Sequence, residues 1–380
     1  MNTRIPSFLS RPVALAAAAL ATALLAAGPA QAAHGVAATA GQADATPSSR
    51  PLPVVASFSI LADLVKQVGG DRVAVESLVK AGGDTHVFQP GPAQVRQLSS
   101  ASLVVVNGLG FEGWMPRLIG SSGYKGPVVE AARGLQAMKA TDDHHHHGDD
   151  ADEDDHDHDG PHGHDHDHDG PHGHDHDEDD PHGHSHADHD HDEASHGHHH
   201  HHHGGLDPHA WQDALNVRHY VANIAEGLCQ AAPADCGGFR ERARAYDQKL
   251  LELDQEIHQV VDATPTDRRR VMVSHAAFGY YGRAYHITFM APVGISTEEE
   301  PSASVVANLI RQARQQNVQA FFFENNSDPR LLKRMASELK NVTIGELYAD
   351  SLSPANGPAA DYLSMMRYNT RAITQALSKK

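Results

Sequence analysis

The feature that most constrains this 380-residue chain is a low-complexity segment inside it. Residues 142–203 hold 25 of the 32 histidines and 22 acidic residues, but no Lys or Arg. Because the segment has almost no apolar side chains, it cannot bury a hydrophobic core and is predicted to be disordered. The globular fold must therefore be built from the flanking sequence, with residues 141–205 as an insert in one of its loops.

The formal net charge of −19 comes from this insert. The rest of the chain carries 30 basic and 27 acidic residues and is close to neutral. Binding to nucleic acid depends on a basic surplus that releases counterions from phosphates. No nucleic-acid partner is therefore predicted, and no general attraction to acidic membranes.

Residues 1–32 are typical of a cleavable secretory signal peptide, with two arginines before an apolar run over residues 13–27. Ala30-Gln31-Ala32 is a small-x-small cleavage site, and the apolar run is short for a membrane anchor. No Cys lies near that site, which disfavours lipid attachment there. Residues 33–50 are predicted to be a flexible linker. We expect export to the periplasm.

An oxidising compartment makes the two cysteines informative. Cys229 and Cys236 lie seven residues apart and are predicted to form a short disulfide, with two free thiols as the alternative. Two Cys at this spacing, without a second pair, are a poor metal site.

Strand-like apolar runs alternate with helical segments on both sides of the chain's middle. Residues 59–68 are predicted to form a helix with Ser59 as its N-cap, and residues 91–100 another. The strands are predicted at residues 54–58, 73–79, 103–106, 271–273, 287–290, 319–323 and 342–344. This alternation predicts two α/β lobes with largely parallel sheets, over residues 51–235 and 264–380.

Residues 236–263 between the lobes carry a single apolar stripe at spacings of three and four, which predicts one long helix. The stripe comprises Phe239, Ala243, Tyr246, Leu250, Leu253, Ile257 and Val260. At ~1.5 Å per residue the stripe spans roughly 33 Å, about the width of a lobe. We interpret it as a rigid strut in a monomer; a coiled-coil dimer is the alternative.

Outside the insert, the leader and the linker, three of six histidines lie in loops beside strands or helices: His86, His209 and His275. A fourth polar loop, residues 347–353, follows a predicted strand. Ligands of α/β proteins bind beyond the carboxyl ends of strands, and two lobes form a cleft there. The remaining three, His219, His258 and His286, are interpreted as structural.

Five motifs, together with the insert before the second histidine, resemble the cluster A-I solute-binding proteins of metal ABC transporters, in particular the zinc receptors (ZnuA- and AztC-like). The motifs are Gly-x-Asp-x-His-x-Phe-x-Pro at 82–90, Asp-Pro-His-Ala-Trp at 207–211, Ser-His-Ala-Ala-Phe-Gly-Tyr-Tyr at 274–281, Glu-Pro-Ser at 300–302 and Tyr-Ala-Asp-Ser at 348–351. The resemblance implies two lobes, one linking helix and a metal held in the cleft by His86, His209, His275 and Asp350. It also implies a membrane permease as partner, and a metallochaperone as a further one.

Three imidazoles and one carboxylate suit a tetrahedral Zn(II) ion, which would be the cargo. Manganese receptors of the same family carry Glu where His275 stands, and manganese prefers oxygen-rich sites. Some zinc receptors have Glu in place of Thr85, so the fourth ligand here is Asp350, or else a water. The insert is predicted to hold additional weak Zn(II) and to aid its capture or transfer.

Two alternatives remain at this point: a manganese receptor of the same family, and a zinc hydrolase or lyase with a three-histidine site. His-Glu-x-x-His and Gly-x-Ser-x-Gly are absent and Asp350 would close the site, so no enzymatic function is predicted. Glu112, Asp207 and Glu324 also lie in stretches that match the family, although only Asp207 falls within the five motifs given above. They could orient the histidines, cap helices or form structural ion pairs.

Overall fold

The computed structural model describes residues 50–140 and 205–378. Two predicted regions therefore lie outside the described residues. One comprises the signal peptide and nearly all of the linker, and the other is the insert except for its last residue, 205. Within the described residues, no helix is both long enough and apolar enough to cross a membrane.

The described residues form eight strands and nine helices. The strands are β1 Leu52–Phe58, β2 Val73–Val79, β3 Leu103–Val106, β4 Val128–Glu130, β5 Arg270–Val273, β6 Thr288–Met290, β7 Ala320–Glu324 and β8 Thr343–Leu347. The helices are α1 Ser59–Gly69, α2 Pro92–Ser99, α3 Met115–Ser122, α4 Ala214–Ala231, α5 Cys236–Asp262, α6 Gly279–Tyr285, α7 Ala303–Gln315, α8 Arg330–Ser337 and α9 Tyr362–Ser378.

The strands form two four-stranded sheets with the same topology. The first has the order β2-β1-β3-β4 and the second β6-β5-β7-β8, and every neighbouring pair is parallel. The prediction of two α/β lobes with parallel sheets is therefore confirmed. Strand β4 was not predicted, because it has only three residues and its Val128 is 41% exposed at the sheet edge.

The side chains of the second sheet alternate between two cores, as the pleat of a strand requires. Val271 and Val273 of β5 join the large core that extends into the first lobe, whereas Met272 packs with α7 and α8 residues. Strand β3 of the first sheet is buried along its whole length. These continuous apolar strands, covered on both faces, are typical of parallel sheets.

Helix α5 packs against α1, α4 and α9. Its buried stripe runs from Phe239 to Ile257 as predicted, but ends at Val261 rather than Val260, which is 36% exposed. A 3.5-residue repeat drifts by about 20° per heptad on a 3.6-residue helix, so after three heptads the inward position has moved on by one residue. In the sequence, α5 follows the last strand of the first sheet and precedes the first strand of the second. Its role as a rigid strut remains a prediction, and so do the domain boundaries.

Two local predictions concern the ends of these helices. Cys229 at the end of α4 and Cys236 at the start of α5 are joined by a disulfide, as predicted. The prediction that Ser59 caps α1 is wrong, because α1 begins at Ser59 itself and has no side-chain cap. The Ser59 hydroxyl instead accepts a hydrogen bond from the backbone N–H of Leu352, at 3.0 Å. The Ser59 hydroxyl is therefore bound by a segment nearly 300 residues later in the chain, rather than by the first turn of α1.

Candidate metal centre

The four predicted ligands lie where the topology brings loop ends together. His86 follows β2, His275 follows β5 and Asp350 follows β8. His209 precedes a short 3₁₀ turn, Ala210–Gln212, that leads into α4. His86 and His209 belong to the first lobe, whereas His275 and Asp350 belong to the second. The site therefore lies between the lobes.

The side chains of these four residues converge on one point. One ligand atom from each lies within 4.8 Å of all the others. The Nε2 atoms of His275, His86 and His209 are 3.1, 3.4 and 3.6 Å from an Asp350 carboxylate oxygen. His209, His275 and Asp350 are fully buried, and His86 is partly buried. The structure therefore brings together all four residues that the sequence singled out.

Two buried carboxylates hold the far side of two imidazoles. Nδ1 of His209 lies 2.8 Å from Oδ1 of Asp207, and Nδ1 of His275 contacts Oε2 of Glu324. The same carboxylates accept the backbone N–H groups of His209 and His275, at 2.9 and 3.2 Å. Because a carboxylate only accepts, Nδ1 carries the hydrogen and the Nε2 lone pair is aimed at the centre of the site.

This arrangement leaves hydrogen-bond acceptors facing one another. When the imidazoles are neutral with the hydrogen on Nδ1, both Asp350 oxygens and Nε2 of His275 are buried acceptors without a donor. Buried acceptors without a donor cost on the order of 1–3 kcal/mol each, more when charged. A divalent cation among them would satisfy all of these atoms, so the donor set fits a metal ion.

The electrostatics explain how the site holds charge before a metal arrives. Burial alone disfavours the charged form of His275, but Glu324 and Asp350 together outweigh it and hold the pKa of His275 well above its usual value. Burial likewise opposes charge on Asp350, but His275 and His209 hold its pKa well below its usual range. A proton on Nε2 of His275 thus occupies the place that a metal would take.

Aromatic rings of the first lobe cover one side of the site. The Phe111 ring lies edge-on to His86 at 4.9 Å and to His209 at 5.7 Å. Trp211 packs against His209 at 5.3 Å and donates its indole N–H to the carbonyl of Ala349. The residue before Asp350 is therefore anchored to the first lobe, and aromatic rings cover this side of the site.

Of the three carboxylates that the sequence left open, Asp207 and Glu324 orient histidines and Glu112 does not. Glu112 accepts hydrogen bonds from the Ser57 hydroxyl and the Asn107 backbone N–H, both at 2.6 Å. Burial raises its pKa to about 7. Asn107 donates in turn to the carbonyl of Pro208, next to His209, at 3.0 Å. Glu112 is thus a buried support beneath the site.

Comparisons with known proteins identify the family. The family described as "Zinc-uptake complex component A periplasmic" matches residues 54–376. The metal ABC transporter substrate-binding lipoprotein ScbA of Streptococcus cristatus is 26% identical over 346 residues, covering 91% of this chain and 95% of that protein. The manganese ABC transporter substrate-binding lipoprotein PsaA of Streptococcus anginosus is also 26% identical, over 90% of this chain and 94% of its own length.

A solved structure supports the same fold. The periplasmic zinc-binding protein TroA from Treponema pallidum superposes with a TM-score of 0.67 at 23% identity, covering 87% of this chain and all of that chain. These relatives are substrate-binding components of transporters rather than enzymes. The chain belongs to the family of periplasmic zinc-uptake complex component A, the metal-binding, substrate-binding proteins of ABC transporters.

Proposed function

We propose that this protein is a periplasmic receptor that binds Zn(II) through His86, His209, His275 and Asp350 and delivers it to an ABC permease for import. The observation that carries the proposal is the donor set: three imidazole Nε2 atoms and one carboxylate within 4.8 Å of one another. Two of those imidazoles are held by carboxylates in the tautomer that a metal requires.

The choice of zinc over manganese rests on chemistry. Nitrogen-rich tetrahedral sites suit zinc, with Zn–N distances of ~2.0–2.1 Å, whereas manganese prefers oxygen ligands and higher coordination. Several relatives are named manganese receptors, but their identity of 25–26% is too low to transfer a metal preference. A manganese receptor is therefore the competing candidate.

Competition between the two metals tests this choice. The experiment uses a protein lacking residues 142–203, so that the insert contributes no binding. The deletion is compatible with the structure, because the backbone N–H of Ala140 donates to the carbonyl of Gly205 at 2.8 Å and the ends already meet. We expect zinc to bind more tightly by orders of magnitude. Equal or tighter manganese binding would overturn the zinc assignment.

Single substitutions test the ligands. His275→Ala should lose most of the affinity because it removes a buried nitrogen donor. Asp350→Ala should lose less, since a water can replace one oxygen. His258→Ala is a matched control, because His258 lies on α5 and pairs only weakly with Asp254 at 3.9 Å. Wild-type affinity in His275→Ala would show that the tight site is elsewhere.

We also propose that the insert binds additional, weaker Zn(II) and passes it to the cleft. A tethered segment raises the local metal concentration, but a segment whose composition predicts disorder must be ordered on binding, which costs conformational entropy. Removing residues 142–203 should eliminate several weak equivalents, retain one tight one and slow loading from a metallochaperone. Loss of the tight equivalent with the insert would place that site in the insert.

The leader is proposed to direct export and to be cleaved after residue 32. Both cysteines of the chain are paired in the Cys229–Cys236 disulfide, which suits an oxidising compartment. Mass spectrometry of the protein from the periplasmic fraction would test this. An N-terminus other than Ala33, or attached lipid, would contradict it.

A further inference from the structure

The two ends of the insert form a short paired stem. Lys139 and Leu206 form an antiparallel bridge. The backbone N–H of Asp207 donates to the carbonyl of Met138, at 2.9 Å, and that of Ala140 donates to Gly205. We call residues 138–140 and 205–207 the stem. One arm of the stem thus ends in Asp207, the carboxylate that orients His209.

A tyrosine of the second lobe binds both arms of this stem. Tyr280 lies in α6 and is fully buried. Its hydroxyl accepts a hydrogen bond from the backbone N–H of Met138 at 2.9 Å and donates one to the carbonyl of Asp207 at 3.0 Å. A single hydroxyl group therefore joins the stem to the opposite lobe.

The Asp207 side chain also rests on α6. A Cβ added at Gly279 would lie 2.7 Å from Oδ2 of Asp207, so only glycine allows the carboxylate to approach this closely. The other oxygen of Asp207 holds Nδ1 and the backbone N–H of His209. The orientation of a first-lobe histidine thus depends on contacts with a second-lobe helix.

We infer that Tyr280 is a positioning residue of the metal site, which fixes Asp207 and hence His209 while clamping the stem of the insert to the second lobe. The inference rests on the proposed function, because it takes His209 as a metal ligand. The stem is then part of the metal site's support as well as the attachment of the insert. Metal bound at His209 is held more firmly when the stem is clamped.

The test compares Tyr280→Phe with Tyr281→Phe in the full chain. Both tyrosines are fully buried in α6, but the Tyr281 hydroxyl pairs with Thr370 at 2.8 Å, away from the stem. Each protein is loaded with one equivalent of Zn(II) and chased with a chelator. Loss of an outer-shell partner typically costs 10–100-fold in metal affinity. We expect about tenfold faster release in Tyr280→Phe and wild-type release in Tyr281→Phe.

A second readout separates positioning from general destabilisation. The buried Nδ1–H groups of His209 and His275 are observable by NMR in protein labelled with ¹⁵N-histidine. Tyr280→Phe should speed hydrogen exchange at His209 and leave His275, held by Glu324, unchanged. Equal changes at both imidazoles would indicate a purely structural role and overturn the inference.

If Tyr280→Phe does not fold, Gly279→Ala also tests the support of Asp207 by α6. The added methyl group would displace the Asp207 carboxylate and should likewise speed the release of Zn(II). Wild-type release in either folded variant overturns the inference. His275→Ala run in parallel keeps the two hypotheses apart. If His275→Ala retains tight binding, the proposed site itself fails; if it loses binding while Tyr280→Phe behaves like wild type, only the positioning role fails.

Discussion

The buried pair of His275 and Glu324 allows the sharpest quantitative prediction. Glu324 accepts two hydrogen bonds from His275, one from the ring and one from the backbone, and neither side chain is more than 1% exposed. Glu324→Gln keeps one acceptor for the backbone N–H and turns its amide N–H₂ toward Nδ1. The ring must then carry its hydrogen on Nε2, where the metal binds.

The expected loss follows from that change of tautomer. Removing a carboxylate that orients a metal-bound histidine costs 10–100-fold in affinity, or about 1.4–2.7 kcal/mol. The same change removes the carboxylate that raises the pKa of His275, so it also weakens proton competition. The loss should therefore be largest at high pH and shrink as the pH falls toward about 6.

Competitive titration of Zn(II) with a chelator at two pH values would measure both effects. Glu346→Gln is the matched control, because Glu346 lies opposite Phe323 in the neighbouring strand and touches no ligand. We expect the control to bind as wild type does. Wild-type affinity in Glu324→Gln at high pH would refute the claim that this carboxylate selects the tautomer.

Three further predictions concern protons and the disulfide. Because the pKa of His275 is raised, a metal must displace the His275 proton. The apparent affinity for metal should therefore rise about tenfold per pH unit above about 6.5, until the pH reaches the pKa of His275 in the folded protein. Calorimetry in two buffers would count the released proton, and an affinity that does not change with pH would contradict this prediction. Burial raises the pKa of Glu112 from 4.5 to about 7, so the folded protein holds the Glu112 proton more tightly than the unfolded chain does. The free energy of unfolding should therefore fall by up to about 3 kcal/mol as the pH rises from the lower pKa through the higher one. Denaturant unfolding at pH 5 and 8 should show a larger loss of stability in the metal-free wild type than in Glu112→Gln, in which the raised pKa of His275 still contributes. Reduction of Cys229–Cys236 should lower the free energy of unfolding by about 2 kcal/mol, with no effect of reductant on the double serine variant.

The placement of ligands on both lobes has a mechanical consequence. In the site proposed above, a metal would join His86 and His209 of one lobe to His275 and Asp350 of the other. At the mouth, the Thr297 hydroxyl of the second lobe donates to Asp84 of the first at 2.7 Å. Under that proposal, separation of the lobes would break the metal coordination and this hydrogen bond together.

The sequence alone was sufficient for features that depend on local pattern. Continuous apolar runs such as Leu103–Val106 predict buried parallel strands, and these strands were found. The stripe of α5 predicts one long helix because apolar spacing reports directly on which face is buried. The motifs also singled out His86, His209, His275 and Asp350, since each stands in a short, distinctive loop.

Only the tertiary structure decided which groups serve those residues. Glu324 meets His275 from 49 residues away, and Tyr280 meets Asp207 from the opposite lobe. Ser59 looks locally like a helix cap, but its hydroxyl is taken by the segment after β8. A hydrogen-bond partner is chosen by distance and burial in the folded chain, and neither residue spacing nor composition encodes that choice. The sequence therefore determined the strands, the long helix and the candidate ligands, whereas tertiary packing within and between the lobes decided how those ligands are oriented.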